Sequence, residues 1–226
     1  MKFELLVDSR PDEVVIALLK DKQLIELHKE SHNSSFSVGD IYLGKIKKVV
    51  PGLNASFVDV GHERDGFLHY LDLGPKIKTY QNFLERNLGG KLSTASLRNF
   101  KRQPEIEKSG KIDDVMQGGN KVLVQVAKEP ISTKGPRLTT ELTLAGRYMV
   151  LVPFSDKVSV SQKIDSQEER KRLKRLVQSI KPQGFGVIIR TVAEGKMVAE
   201  LDADLKNLYR KWQVIFKQMK KSKGPG

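Results

Sequence analysis

The chain has 226 residues, 38% of them hydrophobic, no cysteine and a formal charge of +13. Lacking cysteine, it can form no disulfide or thiolate metal site, and no apolar run approaches the roughly eighteen residues of an α-helical membrane span. Forty Lys and Arg against twenty-seven Asp and Glu favour a polyanionic partner, nucleic acid ahead of a membrane surface, although any single basic run alone is better explained as solvated surface.

In chain order, Phe3–Val7, Glu13–Leu19 and Gln23–His28 read as three short strands, separated by Ser9-Arg-Pro-Asp12 and Lys20-Asp-Lys22. Spacers that short permit only antiparallel hairpins. Such a sheet has one face to cover and no helix follows at once, so it is expected to be one part of a domain. Charges inside the first apolar run, Met1-Lys-Phe-Glu-Leu-Leu-Val-Asp8, argue against a secretory leader. After the polar break Glu30-Ser-His-Asn-Ser-Ser35, five further strands are expected. These are Ile41–Val50, Ala55–Val60 beyond a Pro51-Gly52 turn, Asp65–His69, Lys121–Ala127 and a stretch within Leu138–Leu144. The third and fourth are separated by Tyr70–Asn120, which holds Gly89-Gly90 and the basic cluster Arg98-Asn-Phe-Lys-Arg102. A connection of that length is expected to be a mobile or partly helical insertion rather than core.

The last third changes character. Arg147–Pro153 is an apolar strand with a partner over Lys157–Ser161. Asp165-Ser-Gln-Glu-Glu169 is an acidic helix start. Leu173, Leu176, Val177 and Ile180 follow at helical spacing, with Arg170, Lys171, Arg172, Lys174 and Arg175 at the other positions. Pro182-Gln-Gly184 ends that helix, and Phe185–Thr191 is a strand of buried type. After Gly195 a long helix carries Leu201, Leu205, Leu208, Tyr209, Trp212, Ile215, Phe216 and Met219 on one face, a pattern of helix packing rather than of a binding box. Asp113-Asp114, Asp202 and Asp204 have no histidine or third carboxylate converging on them and read as solvated. The four histidines, His28, His32, His62 and His69, lack paired-ligand spacing.

Candidate chemistry begins at Asn54-Ala-Ser-Phe-Val-Asp-Val-Gly-His-Glu-Arg-Asp-Gly-Phe-Leu68. Alternation sends Val58 and Val60 to one face of a strand and Phe57 with Asp59 to the other. With the valines inward, Phe57 faces solvent, and Phe67 does so when Leu68 is inward; a core role for both rings is the alternative. Lys128 and Lys134, at the end of the fourth strand and in the loop after it, lie where phosphates beside such a platform would pass, though a surface lysine is ordinarily just solvated. Arg190 and Thr191 stand where a strand ends and a helix is about to begin. A guanidinium grips phosphate bidentately, a hydroxyl adds a further hydrogen bond, and free backbone N–H groups there favour an anion. The competing reading pairs Arg190 with an acidic neighbour such as Glu194.

Five strands with the long connection before the fourth, Lys45-Ile-Lys-Lys48, the strand holding Phe57, and Gly66-Phe67 together resemble an OB-fold RNA-binding domain. In that likeness the central strands form an outward platform where Phe57 and Phe67 stack on unpaired bases. Four ordered stretches extend it: Asn54–Leu68, Lys134-Gly-Pro-Arg-Leu-Thr-Thr140, Ala145-Gly-Arg-Tyr-Met-Val-Leu-Val-Pro153 and Ile189-Arg-Thr-Val-Ala-Glu-Gly195. The set resembles the N-terminal half of the ribonuclease E/G family. Arg190-Thr-Val-Ala-Glu-Gly-Lys196 and the lack of a long disordered tail bring it nearer the ribonuclease G branch. Tyr70–Asn120 lies outside the likeness.

The resemblance implies an α+β chain in three parts. Residues 1–37 would be strands of an incomplete ribonuclease-H-like domain, non-catalytic in this family. Residues 38–145 would be an OB-fold β-barrel interrupted at 70–120, and 146–226 a 5′-end sensor domain with a long C-terminal helix. The implied activity is that of a single-strand-specific endoribonuclease of RNA processing and decay, a cytoplasmic hydrolase stimulated by a 5′-monophosphate and homo-oligomeric when intact. Phe57, Phe67, Lys128 and Lys134 would hold single-stranded RNA. Arg190 and Thr191, with Val150 as a wall or backbone contributor, would form the sensor. Gln162-Lys163 stand where the family often carries arginine, which weakens a contact by Lys163, and Asp59 and Asp65 are structural or RNA-adjacent by the same likeness. Family hydrolysis uses magnesium held by two aspartates of a later nuclease-like domain. The chain is expected to end at Gly226 before that domain, and so to bind RNA without cutting it, with no catalytic residue, metal or cofactor of its own. The other classes weighed are a free-standing OB-fold RNA-binding module without nuclease activity and a scaffold whose long C-terminal helix docks a protein.

Overall fold

The stretch Val14–Leu19 is apolar without interruption, and it runs through the middle of the first of two units, Met1–Ser37 and Val38–Gly226. The structure, a computed structural model, describes residues 1–31, 36–130, 134–222 and 224–226. In the first unit β1 (Phe3–Ser9), β2 (Glu13–Lys20) and β3 (Gln23–Ser31) form an antiparallel sheet in the order β1-β2-β3. The register sets Leu5 beside Leu18 and Val7 beside Ile16 on one face, and Leu6, Ala17 and Leu27 in a row on the other. The expectation of a single face to cover is thereby corrected. Both faces are apolar, the pattern of strands buried from two sides, and Leu5, Leu6 and Val7 are more than half exposed.

The second unit opens with a closed barrel of β4 (Ile41–Val50), β5 (Ala55–Asp59), β6 (Gly66–His69), β7 (Lys121–Lys128) and β8 (Arg137–Thr139). Their order around the barrel is β4-β5-β6-β8-β7, with β6 and β8 parallel and the other pairings antiparallel. Closure depends on the ten-residue β4. Its first half pairs with β7, its second half pairs with β5, and a bulge between Ile46 and Lys48 turns it from one partner to the other. Ile46, Val58, Val60, Leu68, Val122, Val124, Val126 and Leu138 fill the buried side of the strands.

Beyond the barrel, β9 (Leu144–Ala145), β10 (Met149–Pro153), β11 (Val158–Val160) and β12 (Phe185–Ile189) make a second sheet in the order β11-β12-β10-β9. Helices α2 (Gln167–Ile180) and α3 (Val198–Lys221) bury Leu173 and Val177, and Leu201, Leu205, Leu208, Trp212, Phe216 and Met219, respectively. Met149, Leu151, Val187 and Ile189 belong to the same core, which leaves Val150, Val152 and Ile188 on the sheet's other face.

The long connection after β6 departs from expectation. It is partly helical, as anticipated, but its helix α1 (Ile77–Leu88) is core and not a mobile appendage. The Phe83 ring stacks on Trp212 of α3 with centroids 5.5 Å apart, and Tyr80, Leu84 and Leu97 are buried in the same cluster. The indole Nε1 donates to the Ala95 carbonyl at 2.9 Å. Asn54 ties the later part of the connection to the barrel, its amide donating to the Gly110 carbonyl at 3.1 Å while its oxygen accepts from the Ile112 N–H at 2.7 Å. Because Phe83 fills space between α1 and α3, Phe83→Ala should destabilise the second unit by about 3–5 kcal/mol, read as a lowered midpoint in urea unfolding; an unchanged midpoint would place the helix outside the core.

Candidate nucleic-acid interface

Period-two alternation decides where the aromatic pair goes. Val58 and Leu68 are fully buried, so Phe57 and Phe67 point away from the barrel interior, each half-buried. The two rings are direct cross-strand partners, centroids 5.8 Å apart and edge to face, and His69 lies 6.5 Å from Phe67. The row continues on both sides. Lys48 pairs with Phe57 through the β4 bulge, Phe67 pairs with Arg137 of β8, and Arg137 pairs with Lys128 through a second bulge between Val126 and Lys128. One residue from each of the five strands, Lys48, Phe57, Phe67, Arg137 and Lys128, thus forms a lateral band around the barrel, with neighbouring Cβ atoms about 5 Å apart.

Phe57, Phe67, Lys128 and Lys134 line a single open groove of about 760 Å³, together with Arg64 and Arg137 and the acidic Glu63, Asp65 and Glu129. Gly135 keeps Lys134 there, since a Cβ at that position would collide with the Asp65 carbonyl, and the Phe67 N–H donates to the Pro136 carbonyl at 2.8 Å. Two rim cations are already engaged. Arg137 forks onto Asp72 at 2.9 and 3.0 Å, and Lys47 lies 2.9 Å from Asp65, whose hydrogen bond and charge hold the ammonium above its usual range. Lys128 and Lys134 form no ion pair among the described residues. Asp59 accepts from the Gly61 N–H at 2.9 Å.

The second cluster is built on the other sheet. The Arg190 N–H extends the β10–β12 ladder to the Tyr148 carbonyl at 2.9 Å, which puts Arg190 on the same face as Ile188 and, one strand over, Val150. The guanidinium is exposed. Its Nη1 donates to the Gly146 carbonyl at 2.8 Å and the Arg147 carbonyl at 3.5 Å, and among the described residues it meets neither Glu194 nor any other carboxylate. Thr191 Oγ1 lies 2.9 Å from Ser161 Oγ. The helix expected after Gly195 begins at Val198, and Thr191 itself lies in the three-residue turn Thr191–Ala193, so the helix N-terminus is too far along the chain to supply N–H groups at Arg190 and Thr191.

The turn beneath Arg190 is clamped by a residue read from sequence as solvated. Asp204 of α3 accepts from three successive N–H groups, Arg147 at 3.2 Å, Tyr148 at 2.9 Å and Met149 at 3.1 Å. On the far side, Glu169 and Arg172 of α2 pair at 2.6 Å. Glu169 then accepts from the Gly195 N–H at 2.9 Å and Arg172 donates to the Lys196 carbonyl at 3.1 Å, which fixes the loop leading into α3. Among the described residues no group of three or more His, Asp or Glu could hold a metal ion, and no helix is long and apolar enough to cross a membrane.

A sequence model of the Ribonuclease E/G family matches residues 143–226, the region from β9 to the end of the chain. The chain is 38% identical over 222 residues to Ribonuclease G of Haemophilus influenzae, which covers 98% of this chain and 41% of that protein. It is 36% identical over 221 residues to Ribonuclease G of Escherichia coli strain K12, again 98% and 41% of the two chains. To Ribonuclease E of Nostoc sp. it is 38% identical over 212 residues, 93% of this chain and 27% of the relative. The chain belongs to the ribonuclease E/G family. It spans about two-fifths or less of the length of the curated ribonucleases G and E it matches.

Within this member of the ribonuclease E/G family the sequence-derived residues fall into two places: Phe57, Phe67, Lys128 and Lys134 in the barrel groove, Arg190, Thr191 and Val150 on the second sheet. Lys48, Arg137, Ser161 and Asp204 were not anticipated. Lys48 and Arg137 stand inside stretches singled out in the sequence, but a bulge that leaves no mark in the local pattern turns Lys48 outward, and only the pairing of β8 with β6 sets Arg137 beside Phe67. Arg172 lowers the Glu169 carboxyl to about 2, chiefly by its hydrogen bonds, aided by the Gly195 N–H and opposed by desolvation. A depressed carboxyl stabilises the fold fully above the ordinary carboxylate range and loses that contribution as pH falls from there toward 2. Chemical-denaturation midpoints should therefore drop over that acid window in the unmodified chain and less steeply in Glu169→Gln; parallel profiles would show that the pair contributes nothing.

Proposed function

We propose that this chain is the RNA-binding and 5′-end-sensing portion of a ribonuclease E/G-type endoribonuclease. The observation that carries the reading is the lateral band around the barrel. Two outward aromatic rings sit side by side, with a cation beyond each, so that stacked bases on the rings would bring their phosphates within reach of Lys48, Lys128 and Lys134, while Arg137 is held by Asp72. Five closed strands with the long connection before the fourth support treating this barrel as an OB fold that holds single-stranded RNA.

The second cluster supports a sensor for a 5′-monophosphate. Among the described residues Arg190 rests on backbone carbonyls and not on a carboxylate, which leaves its Nε and Nη2 for a phosphate, and the Thr191 hydroxyl lies next to it in sequence. Val150 forms part of the wall on the same face. The three parts of this reading are residues 1–37, 38–145 and 146–226. The first, apolar on both faces, would be completed by chain elsewhere as a ribonuclease-H-like domain. Relatives more than twice this chain's length favour the reading as a portion of an enzyme over a free-standing binding module. Hydrolysis, its magnesium, homo-oligomer assembly and a cytoplasmic setting belong to the proposal for the whole protein.

Phe57→Ala should weaken binding to single-stranded RNA by roughly 1–3 kcal/mol in a fluorescence titration while thermal melting stays put. A mutant that unfolds but keeps its affinity per folded molecule would make the ring a packing residue. Arg190→Ala should abolish the preference for 5′-monophosphorylated over 5′-hydroxyl RNA in oligonucleotides of otherwise identical sequence; equal preference in the two proteins would refute the sensor.

A further inference from the structure

We infer that Ser161, at the end of the strand next to Arg190, is a positioning residue of the phosphate notch, and that Ser161 and Thr191 work as one hydrogen-bond donor and not as two. The inference rests on the sensor reading above. Ser161 is tied to the chain beside Arg190: its N–H donates to the Ile189 carbonyl at 2.9 Å, one residue before Arg190, and its Oγ accepts from the Lys163 N–H at 3.3 Å. Its hydroxyl lies 2.9 Å from that of Thr191.

Each hydroxyl has one proton to give and two lone pairs to receive with. A hydrogen bond between the two consumes one proton and leaves one. When Ser161 donates to Thr191, the Thr191 proton is left to point outward; when Thr191 donates, the Ser161 proton is left. The Lys163 amide already occupies one lone pair on Ser161 and polarises the chain toward donation, since a hydroxyl that accepts a hydrogen bond donates more strongly. In either direction the pair offers a single, oriented O–H to an incoming acceptor. An anionic oxygen is the acceptor that suits it, because charge-assisted hydrogen bonds are the strong ones and the Arg190 guanidinium stands on the next position of the chain. Without Ser161, the Thr191 hydroxyl keeps its proton but loses the partner that aims it. This places a second hydroxyl in a site for which the sequence pointed only to Thr191.

The test uses the 226-residue chain and two short single-stranded RNAs of one sequence, ending in a 5′-monophosphate or a 5′-hydroxyl. The readout is the ratio of their dissociation constants. Ser161→Ala should reduce the preference for the monophosphate by about tenfold, the scale of one hydrogen bond to a charged group, and Thr191→Ala should reduce it by a similar factor. The double variant should be no worse than the weaker single one, because residues acting as a unit are not additive. Ser161→Thr, which keeps the hydroxyl, should restore most of the preference, and melting temperatures identify any variant that has lost its fold. A full preference in folded Ser161→Ala, or losses that multiply in the double variant, overturns the role of Ser161 while leaving the sensor standing. No preference in the unmodified chain overturns the sensor and this inference together.

Discussion

Strand register is the constraint on which the barrel surface depends. Side chains alternate with period two, so a one-residue slip of β6 against β5 would turn Phe67 inward and drive Leu68 into water, and a slip of β5 would do the same to Phe57 and Val58. The fully buried Val58, Val60 and Leu68 make that slip costly, at about 1.5–3 kcal/mol for each large apolar side chain exposed. The outward position of the rings is thus a by-product of where the valines must go. Nothing in the aromatic pair itself needs to specify its own exposure.

Much of this was legible in the chain. Val58 and Val60 alternating with Phe57 and Asp59 gave the facing of β5, and the structure has it that way. The stripe of Leu173 and Val177, and that of Leu201, Leu205, Leu208 and Trp212, gave both helices of the last third. The helix in the long connection was written just as clearly, with Ile77, Tyr80, Leu84 and Leu88 at helical spacing, yet the length of the connection weighed more heavily than its periodicity. The first sheet shows the opposite error. Its unbroken apolar β2 signals burial on two faces, and a hairpin reading that looks only for alternation misses it.

What stayed hidden depends on contacts far apart in the chain. Asp204 lies on a helix face that looks polar and solvated, and only the fold brings the 147–149 turn against it. Ser161 is one of many serines until its hydroxyl meets that of a residue thirty positions on. Arg137 enters the lateral band because β8 pairs with β6, which sets it beside Phe67. Each of these is a register or a juxtaposition, and a one-dimensional pattern carries neither.

The stacking of Phe83 on Trp212 has a consequence for reach. It joins the connection that leaves the barrel to the long helix that braces the second sheet, within one continuous core. The barrel groove and the Arg190 cluster thus belong to one compact unit that shares this core. A strand tethered at one surface would meet the other at an effective concentration governed by its own length and stiffness.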